Sequence, residues 1–338
     1  MNHLRKTFEQ KNATSAQINA NTPSTPDVSV RLHTIGEEEA GQRIDNFLLR
    51  ICKGVPKSWV YRVVRKGEVR VNKGRVDVEY KLQTGDIVRI PPVRIAQKNS
   101  SPVPNARATK LPVIYEDDAL LVINKPAGLA VHGGSGVSFG VIEQLRAAYP
   151  DFKFLELVHR LDKETSGLLM LAKKRSVLVT LHETIRLGQM DKRYYALLKG
   201  ELTDKETHVR APLYKFVATN GDRRVLVSET GQTAHSRFNI DQKLRGYTAV
   251  RVKIYTGRTH QIRVHSAHLG HPIVGDDKYG DFELNRTLTK QKFSRMFLHA
   301  HELRLKHPVT GEVLSLTADI PEEFHRFINA HTAQAPTK

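Results

Sequence analysis

Apolar positions along the chain predict a series of buried strands. The clearest is the unbroken apolar run over residues 168–172, which follows a polar, glycine-containing loop and has the length of a buried strand. Residues 119–124 and 193–199 are predicted as further strands, and residues 249–255 alternate apolar with charged side chains. A hairpin over residues 303–317 completes the set, so one sheet is expected in the C-terminal two thirds of the chain.

Apolar residues at helical spacing predict helices between and after these strands. Residues 141–148 form one, and residues 177–185 form another that ends near Gly188. Thr259 is the predicted N-cap of a third helix, and Pro321 opens the last one.

The N-terminal third has a different pattern. Residues 1–30 are rich in Asn, Thr, Ser, Gln and Pro and predict a disordered leader, whereas residues 31–90 show the apolar spacing of a small folded module. Residues 91–110 carry repeated prolines without periodicity, which predicts a linker. A larger domain over residues 111–330 and a short tail over residues 331–338 are expected to follow.

The N-terminal module is predicted to contain two short helices and then short strands, with Ser58 as N-cap of the second helix. Residues 41–90 carry 12 Lys and Arg against 5 Asp and Glu. Five of the cations cluster on the second helix and the turn after it, which favours a grip on phosphates over a merely solvated face. They are Arg62, Arg65, Lys66, Arg70 and Lys73.

Net charge is the feature of the composition that says most about the binding partner. Lys and Arg number 53 against 35 Asp and Glu, a formal net charge of +18, so a phosphate backbone is the default partner. No apolar run approaches the ~20 residues that span a bilayer, and residues 1–30 lack the apolar stretch of a signal peptide. The single cysteine, Cys52, excludes an internal disulfide and a cysteine-based metal site. We therefore expect a cytoplasmic protein that binds nucleic acid and no membrane.

The loop before the clearest strand concentrates reactive side chains. Arg160 and Asp162 are spaced so that, in extended backbone, both side chains leave on one face while Leu161 turns into the core. A surface salt bridge is the commoner meaning of such a pair. The wall of a catalytic pocket is the alternative, because functional residues are often carried by loops beside rigid elements.

Two other patterns suggest chemistry that the spacing does not support. The glycine-rich residues 132–136 are not followed by G-K-[ST] and match no nucleotide fingerprint, which excludes ATP and dinucleotides. Histidines crowd residues 260–271 and 299–301, but they form no HExxH and have no thiolate partner. A metal site is therefore not expected.

Four stretches resemble the central motifs of the RluA-type pseudouridine synthases, which modify ribosomal and transfer RNA. They are LVINKPAG at residues 121–128, HRLDKETSG at 159–167, KRYYA at 192–196 and GRTHQIRVH at 257–265. The likeness covers nearly all of residues 111–328, and the N-terminal module resembles an S4 RNA-binding domain. The resemblance implies an α+β pseudouridine synthase fold with a mixed, mainly antiparallel sheet and flanking helices, preceded by a small S4-like α/β domain.

The resemblance also implies roles for single residues. Asp162 would be the nucleophile, and Arg263 beside it would keep the carboxylate ionised. Arg160 would fill the space left by a flipped base, and Tyr194 would stack on that base. Contacts to RNA are further implied for His159, Arg258 and His260, and an apolar wall for Leu298.

The implied reaction breaks the bond from N1 of uridine to C1′ and forms one from C5 to C1′, which requires no redox cofactor, nucleotide or metal. Whether Asp162 attacks the base or the ribose, or acts through a glycal, stays open. The resemblance implies 23S ribosomal RNA as the partner. A monomer is the simplest expectation, and residues 216–229 and 276–292 are expected to be polar loops that select the uridine. The alternatives are an inert S4-type RNA-binding or ribosome-assembly protein and a metallohydrolase that uses the histidines.

Overall fold

The computed structural model describes residues 29–52, 54–93, 111–133, 139–219 and 221–332. The chain divides into two compact units, Met1–Ser100 and Ser101–Lys338. Almost all of the predicted leader, linker and tail, and the middle of the glycine-rich stretch, lie outside the described residues. The limits and character given above for those segments stay predictions.

The first unit contains two helices and a three-stranded antiparallel sheet. Its elements are β1 (Arg31–Thr34), α1 (Ile44–Ile51), α2 (Lys57–Arg65), β2 (Arg70–Val71) and β3 (Ile87–Ile90), with the strands in the order β1-β3-β2. Apolar side chains from both helices and the sheet form one core, in which Phe47, Val63 and Val88 are buried. The prediction of Ser58 as N-cap was wrong, because Pro56 occupies that position and α2 begins one residue before Ser58.

The second unit is built on a ten-stranded mixed sheet. Its strands are β4 (Val113–Glu116), β5 (Leu120–Lys125), β6 (Glu156–Leu157), β7 (Ser166–Ala172), β8 (Asp191–Lys199), β9 (Glu206–Val209), β12 (Ser236–Leu244), β13 (Tyr247–Ile254), β14 (Leu298–Lys306) and β15 (Val313–Thr317). Eight follow the order β4-β5-β7-β14-β8-β13-β12-β9, with β6 paired to β7 and β15 to β14. Among the described strands, β7 and β14 form the one parallel pair. The predicted α+β class with a mixed, mainly antiparallel sheet is confirmed.

Within the described residues, the second unit also contains a separate hairpin and five helices. The hairpin pairs β10 (Leu213–Val217) with β11 (Arg223–Val227), and the helices are α3 (Val141–Ala148), α4 (Arg175–Arg186), α5 (Gln261–His268), α6 (Phe282–Lys290) and α7 (Glu322–His331). None of the helices in the described part of the chain is long and apolar enough to cross a membrane.

The structure corrects the prediction of residues 216–229 and 276–292 as loops. The first stretch contains the end of β10 and all of β11, and the second contains all of α6. Each element buries a single residue, Val225 in β11 and Leu288 in α6, and α6 is mostly polar. Their sequences therefore show little of the apolar periodicity that reveals a strand or a helix.

Alternate residues of the central strands pack on opposite faces of the sheet. Leu121 and Ile123 join one apolar core, whereas Leu120 and Val122 join a second core beneath α4. Because both faces of β5 and β7 are buried, their sequences are unbroken apolar runs. The first core underlies the candidate site.

Candidate active site

One cleft of about 980 Å³ brings together eight of the residues predicted from the sequence. They are His159, Arg160, Asp162, Tyr194, Arg258, His260, Arg263 and Leu298. Nine Lys and Arg side chains line this cleft against two carboxylates, those of Glu156 and Asp162. Its volume is that of a ligand pocket, and its charge suits an anionic ligand.

The topology of the sheet brings Asp162 to this cleft. Because β7 runs parallel to β14, the loop that precedes β7 lies beside Leu298, the first residue of β14. Tyr194 on β8 pairs with Ala300, which also lies on β14. Gly167 permits the close approach, since its φ is +110° and a Cβ there would overlap the backbone of Ala300. This explains the glycine that ends the HRLDKETSG motif.

A buried lysine holds the Asp162 loop (residues 158–165) at one end. The Nζ of Lys125 donates to three carbonyl oxygens, those of Pro126, Leu129 and Lys163, at 2.8, 2.8 and 3.0 Å. Burial of this side chain lowers the pKa of Lys125 to about 8, against the opposing charges of nearby carboxylates. Sequence reasoning gave this residue no role of its own, because one lysine in a motif does not reveal three carbonyl partners.

The same end of the loop is fixed again at Ser166, where β7 begins. Its Oγ lies 2.8 Å from Nδ1 of the buried His299 and accepts a hydrogen bond of 2.6 Å from Nη2 of Arg295. Burial lowers the pKa of His299 to about 4, so this ring is neutral at pH 7. Partners inside the protein thus fix the part of the loop that follows Asp162.

The carboxylate of Asp162 faces a guanidinium that three carboxylates share. The Nη1 of Arg263 lies 3.3 Å from Oδ2 of Asp162. Its Nε and Nη2 each donate at 2.7 Å to the two oxygens of Asp276, and Nη2 also lies 3.0 Å from Asp277. Arg263 and Asp276 are buried, whereas the Asp277 side chain is 66% exposed. We call these four residues the acidic corner.

The charges of the acidic corner stabilise one another. Burial opposes the positive charge of Arg263, but the hydrogen bonds and attraction of Asp276 outweigh it and raise the pKa of Arg263. Burial likewise opposes the negative charge of Asp276, and its bonds to Arg263 outweigh that cost and lower the pKa of Asp276. Arg263 is therefore a fixed cation that orients the carboxylate of Asp162.

A histidine and a tyrosine close the acidic corner. The Nε2 of His260 lies 3.9 Å from Oδ1 of Asp162, and its Nδ1 lies 2.8 Å from the hydroxyl of Tyr279. That hydroxyl also accepts a hydrogen bond of 2.9 Å from the backbone N–H of Val225 on β11. Burial lowers the pKa of His260. Tyr279 therefore connects the hairpin to the surroundings of Asp162.

The floor of the cleft is apolar and its rim is charged. Tyr194 and Leu298 are 8% and 3% exposed and belong to the first core. Burial, with the nearby charge of Asp162, raises the pKa of the Tyr194 hydroxyl, which stays protonated. Arg160 is exposed at the rim.

The remaining predicted contacts differ in character. His159 is half-buried, its Nε2 accepts a hydrogen bond from the backbone N–H of Met170, and burial with the charge of Lys192 lowers its pKa to about 3. Its neutral ring fastens the loop to β7, and contact with RNA stays a prediction. Arg258 donates from Nε to the carbonyl oxygen of Thr233, so it has further donors for a ligand.

The five cations predicted in the first unit are all exposed. They lie on α2, on β2 and in the turns after them: Arg62, Arg65, Lys66, Arg70 and Lys73. Contact of these side chains with RNA stays a prediction.

Sequence reasoning missed Asp276 and Asp277, which complete the acidic corner, and Tyr279, which contacts His260 beside it. Their signal was the hexapeptide GDDKYG at residues 275–280, where charged and aromatic residues stand between two glycines. The predicted N-cap of α5 was also wrong. His260, not Thr259, precedes the helix, with a φ of 53° in the left-handed region.

The histidines that raised the question of a metal form hydrogen bonds within the fold. His265 lies between the hydroxyl of Ser236 and the carbonyl oxygen of Ala211, and His301 contacts the carbonyl oxygen of Ala318. In the described ranges, no three His, Cys, Asp or Glu side chains converge as metal ligands would.

Comparisons with known proteins agree with this geometry. A family model described as RNA pseudouridylate synthase matches residues 119–268, and an S4 domain model matches residues 42–88. Human RNA pseudouridylate synthase domain containing 4 has a similar structure, with a TM-score of 0.52 and 26% identity over 64% of this chain and 92% of its own. The human domain-containing-1 protein has a TM-score of 0.55 at 24% identity, over 69% and 94% of the two chains, and supports the fold alone.

Curated relatives match over most of their length. Ribosomal large subunit pseudouridine synthase C of Haemophilus influenzae is 51% identical over 87% of this chain and 93% of its own. The protein of the same name from Escherichia coli K12 is 52% identical over 88% and 95%. Identity of this extent, together with the fold and the cleft, shows that the chain belongs to the RNA pseudouridylate synthase family and carries an S4 domain.

Proposed function

We propose that this enzyme isomerises particular uridines of 23S ribosomal RNA to pseudouridine, with Asp162 as its catalytic carboxylate. The observation that carries the proposal is the ion pair of Asp162 with Arg263 inside a cleft lined by nine cations. The relatives are named as ribosomal large subunit enzymes, which supports 23S ribosomal RNA as the substrate.

The target base must leave its helix to reach Asp162. Flipping a nucleotide costs roughly a few kcal/mol, and stacking on a protein ring offsets part of that cost. Tyr194 and Leu298 form the apolar floor of the cleft, and on this proposal Tyr194 stacks on the flipped uracil. Arg160 at the rim is placed to fill the gap that the base leaves.

Asp162 is placed to react because it is held and yet accessible. Its side chain is 26% exposed, while Arg263, which holds it, is 4% exposed. Attack at the ribose, attack at the uracil and the glycal route all begin with this carboxylate. The proposal therefore concerns the residue rather than the route.

The isomerisation exchanges one bond for another within the same nucleotide, apart from the hydrogen that leaves C5. The side chains of the cleft are sufficient for it, and we infer no cofactor. A ribosomal RNA substrate would place the enzyme in the cytoplasm.

Tritium release from C5-labelled uridine tests this proposal, because forming the bond from C5 to C1′ expels the label. We expect release from transcribed 23S RNA and none above background from transcribed 16S RNA. Binding to 23S RNA without release would instead favour the non-catalytic RNA-binding alternative. Release from the 16S transcript alone would contradict the assigned substrate.

A further inference from the structure

We propose that Lys192 binds a phosphate of the target nucleotide through its ammonium group. The inference rests on the proposed function, and it assigns one wall of the cleft to the RNA backbone rather than to the base.

The position of Lys192 places its charge near the flipped ring. Lys192 precedes Tyr194 by two residues on β8, so the two side chains leave the same face of the strand, and both line the cleft. Their Cα atoms are separated by about 6.6 Å along an extended strand, comparable with the span from a uracil ring to its own phosphate. The Nζ lies against Gly257, since a Cβ on that glycine would be 3.5 Å away.

Lys192 differs from the other enclosed cations in having no partner. It is half-buried and burial lowers its pKa, yet no ion pair or side-chain hydrogen bond links it to any residue that the structure describes. Lys125, by contrast, donates to three carbonyl oxygens. Lys253, on the neighbouring strand β13, lies 3.0 Å from Asp191. A cation removed from water without a counter-charge is destabilising, and a bound anion relieves that cost.

The surroundings of Lys192 select an anion from outside the protein. Arg160 and Arg258 line the same cleft, and the charge of Lys192 contributes to the lowered pKa of His159, so positive charge is concentrated there. Of the two carboxylates that line the cleft, Asp162 is engaged by Arg263. A flipped nucleotide brings its own phosphates into this space, and they are the anions that the reaction supplies.

The assignment is tested by removing the charge of Lys192 in the protein and, separately, the charge of single phosphates in the RNA. Lys192→Met keeps the length of the side chain without the charge, Lys192→Arg keeps the charge, and Lys253→Met is the control for losing a half-buried but paired lysine. Each protein is assayed for KM, kcat and Kd on the shortest 23S fragment that the wild type converts. The same fragment is also made with single methylphosphonates, which are uncharged, at each phosphate near the target uridine.

We expect Lys192→Met to raise KM and Kd about tenfold or more and to change kcat less than twofold, because a charged contact made in the ground state is lost. One of the methylphosphonate substitutions should raise the KM and Kd of the wild type by the same factor, and it should not raise those of Lys192→Met any further. Lys192→Arg should restore most of the affinity, and Lys253→Met should behave as wild type. The melting temperature of free Lys192→Met should not fall, whereas a structural lysine would lower it.

Two results would overturn the assignment. One is that Lys192→Met stays as sensitive as the wild type to every methylphosphonate. The other is a fall in kcat at unchanged KM and Kd, which would assign Lys192 to the chemistry instead. If the wild type released no tritium from any unmodified RNA, the proposed function would fail, and the Kd values of the wild type and Lys192→Met for intact 23S RNA would still decide whether Lys192 binds RNA.

Discussion

Two cations line the same cleft, and they differ in how they are paired. Arg263 on α5 contacts three carboxylates and is 4% exposed, whereas Lys192 on β8 has no ionic partner in the described ranges. The wall at Arg263 is complete before any ligand binds, so the geometry of Asp162 is set in advance. The wall at Lys192 lacks its counter-charge, which we assign to the RNA. Chemistry and binding are thus divided between two walls.

The largest effect on stability should follow from removing the buried partner of Arg263. We expect Asp276→Asn to lower the free energy of unfolding by about 3–5 kcal/mol, because it leaves a buried charge poorly compensated. Turnover should fall at least about tenfold, since Arg263 would no longer hold Asp162 in one orientation. Urea denaturation and tritium release measure the two quantities.

The matched control is Asp277→Asn, which removes a carboxylate from the same guanidinium. Because Asp277 is 66% exposed, its loss should cost about 1 kcal/mol or less. Equal losses in the two variants would show that burial does not distinguish the partners of Arg263.

The neutral histidine beneath the loop should make the fold sensitive to acid. The folded state holds His299 with a pKa of about 4, while an unfolded histidine has a pKa near 6.5. As pH falls from about 6.5 to 4, the unfolded chain binds a proton that the folded chain excludes, so stability falls, by about 3 kcal/mol for this group.

This pH dependence is measured as the free energy of unfolding between pH 7 and pH 4. In His299→Gln the fall should be smaller by about that amount, although the variant is less stable at pH 7 because its partner Ser166 is disturbed. Parallel curves for the two proteins would contradict a neutral His299.

The hydroxyl of Tyr279 should have a moderate effect that reaches the hairpin. Tyr279→Phe leaves the N–H of Val225 and the ring of His260 without their partner, which should cost about 1–3 kcal/mol of stability and several-fold in turnover. Hydrogen exchange at Val225 should become faster. Tyr214→Phe on the same hairpin, where the side chain is 48% exposed, is the control and should change neither quantity.

The smallest effect on chemistry should come from the first unit. Deleting residues 1–90 should leave the catalytic domain folded, because the second unit has its own cores. KM for intact 23S RNA should rise several-fold while kcat on a short fragment stays unchanged. Replacing Arg62, Arg65 and Lys66 by Gln should reproduce part of that rise. Equal KM values for the deletion and the full chain would refute a role for this unit in binding.

The parts of the fold that follow from periodicity could be predicted from the sequence. Strands β5 and β7 are buried on both faces, so their apolar runs are unambiguous. The hairpin β10–β11 and helix α6 bury little and could not be found in this way. The N-cap of α5 was predicted one residue too early, because the backbone turns at His260. His260 has a left-handed conformation, which is uncommon for residues other than glycine.

The site was predictable only as far as its motifs. The residues that resemble known motifs meet in one cleft. Asp276 binds Arg263 and Tyr279 binds His260, but the partners are far apart in the sequence and no spacing rule predicts these contacts. The sequence also does not reveal which groups a given lysine contacts in the fold. Lys125 and Lys192 both belong to motifs, yet one has three carbonyl acceptors and the other has no ionic partner among the described residues.

The most direct test of the account replaces the carboxylate that the whole acidic corner orients. Asp162→Asn should keep the shape of the side chain and the affinity for 23S RNA within about threefold, and lose single-turnover tritium release by at least about a thousandfold. Release at the wild-type rate by Asp162→Asn, with equal RNA binding, would contradict the claim that Asp162 performs the chemistry.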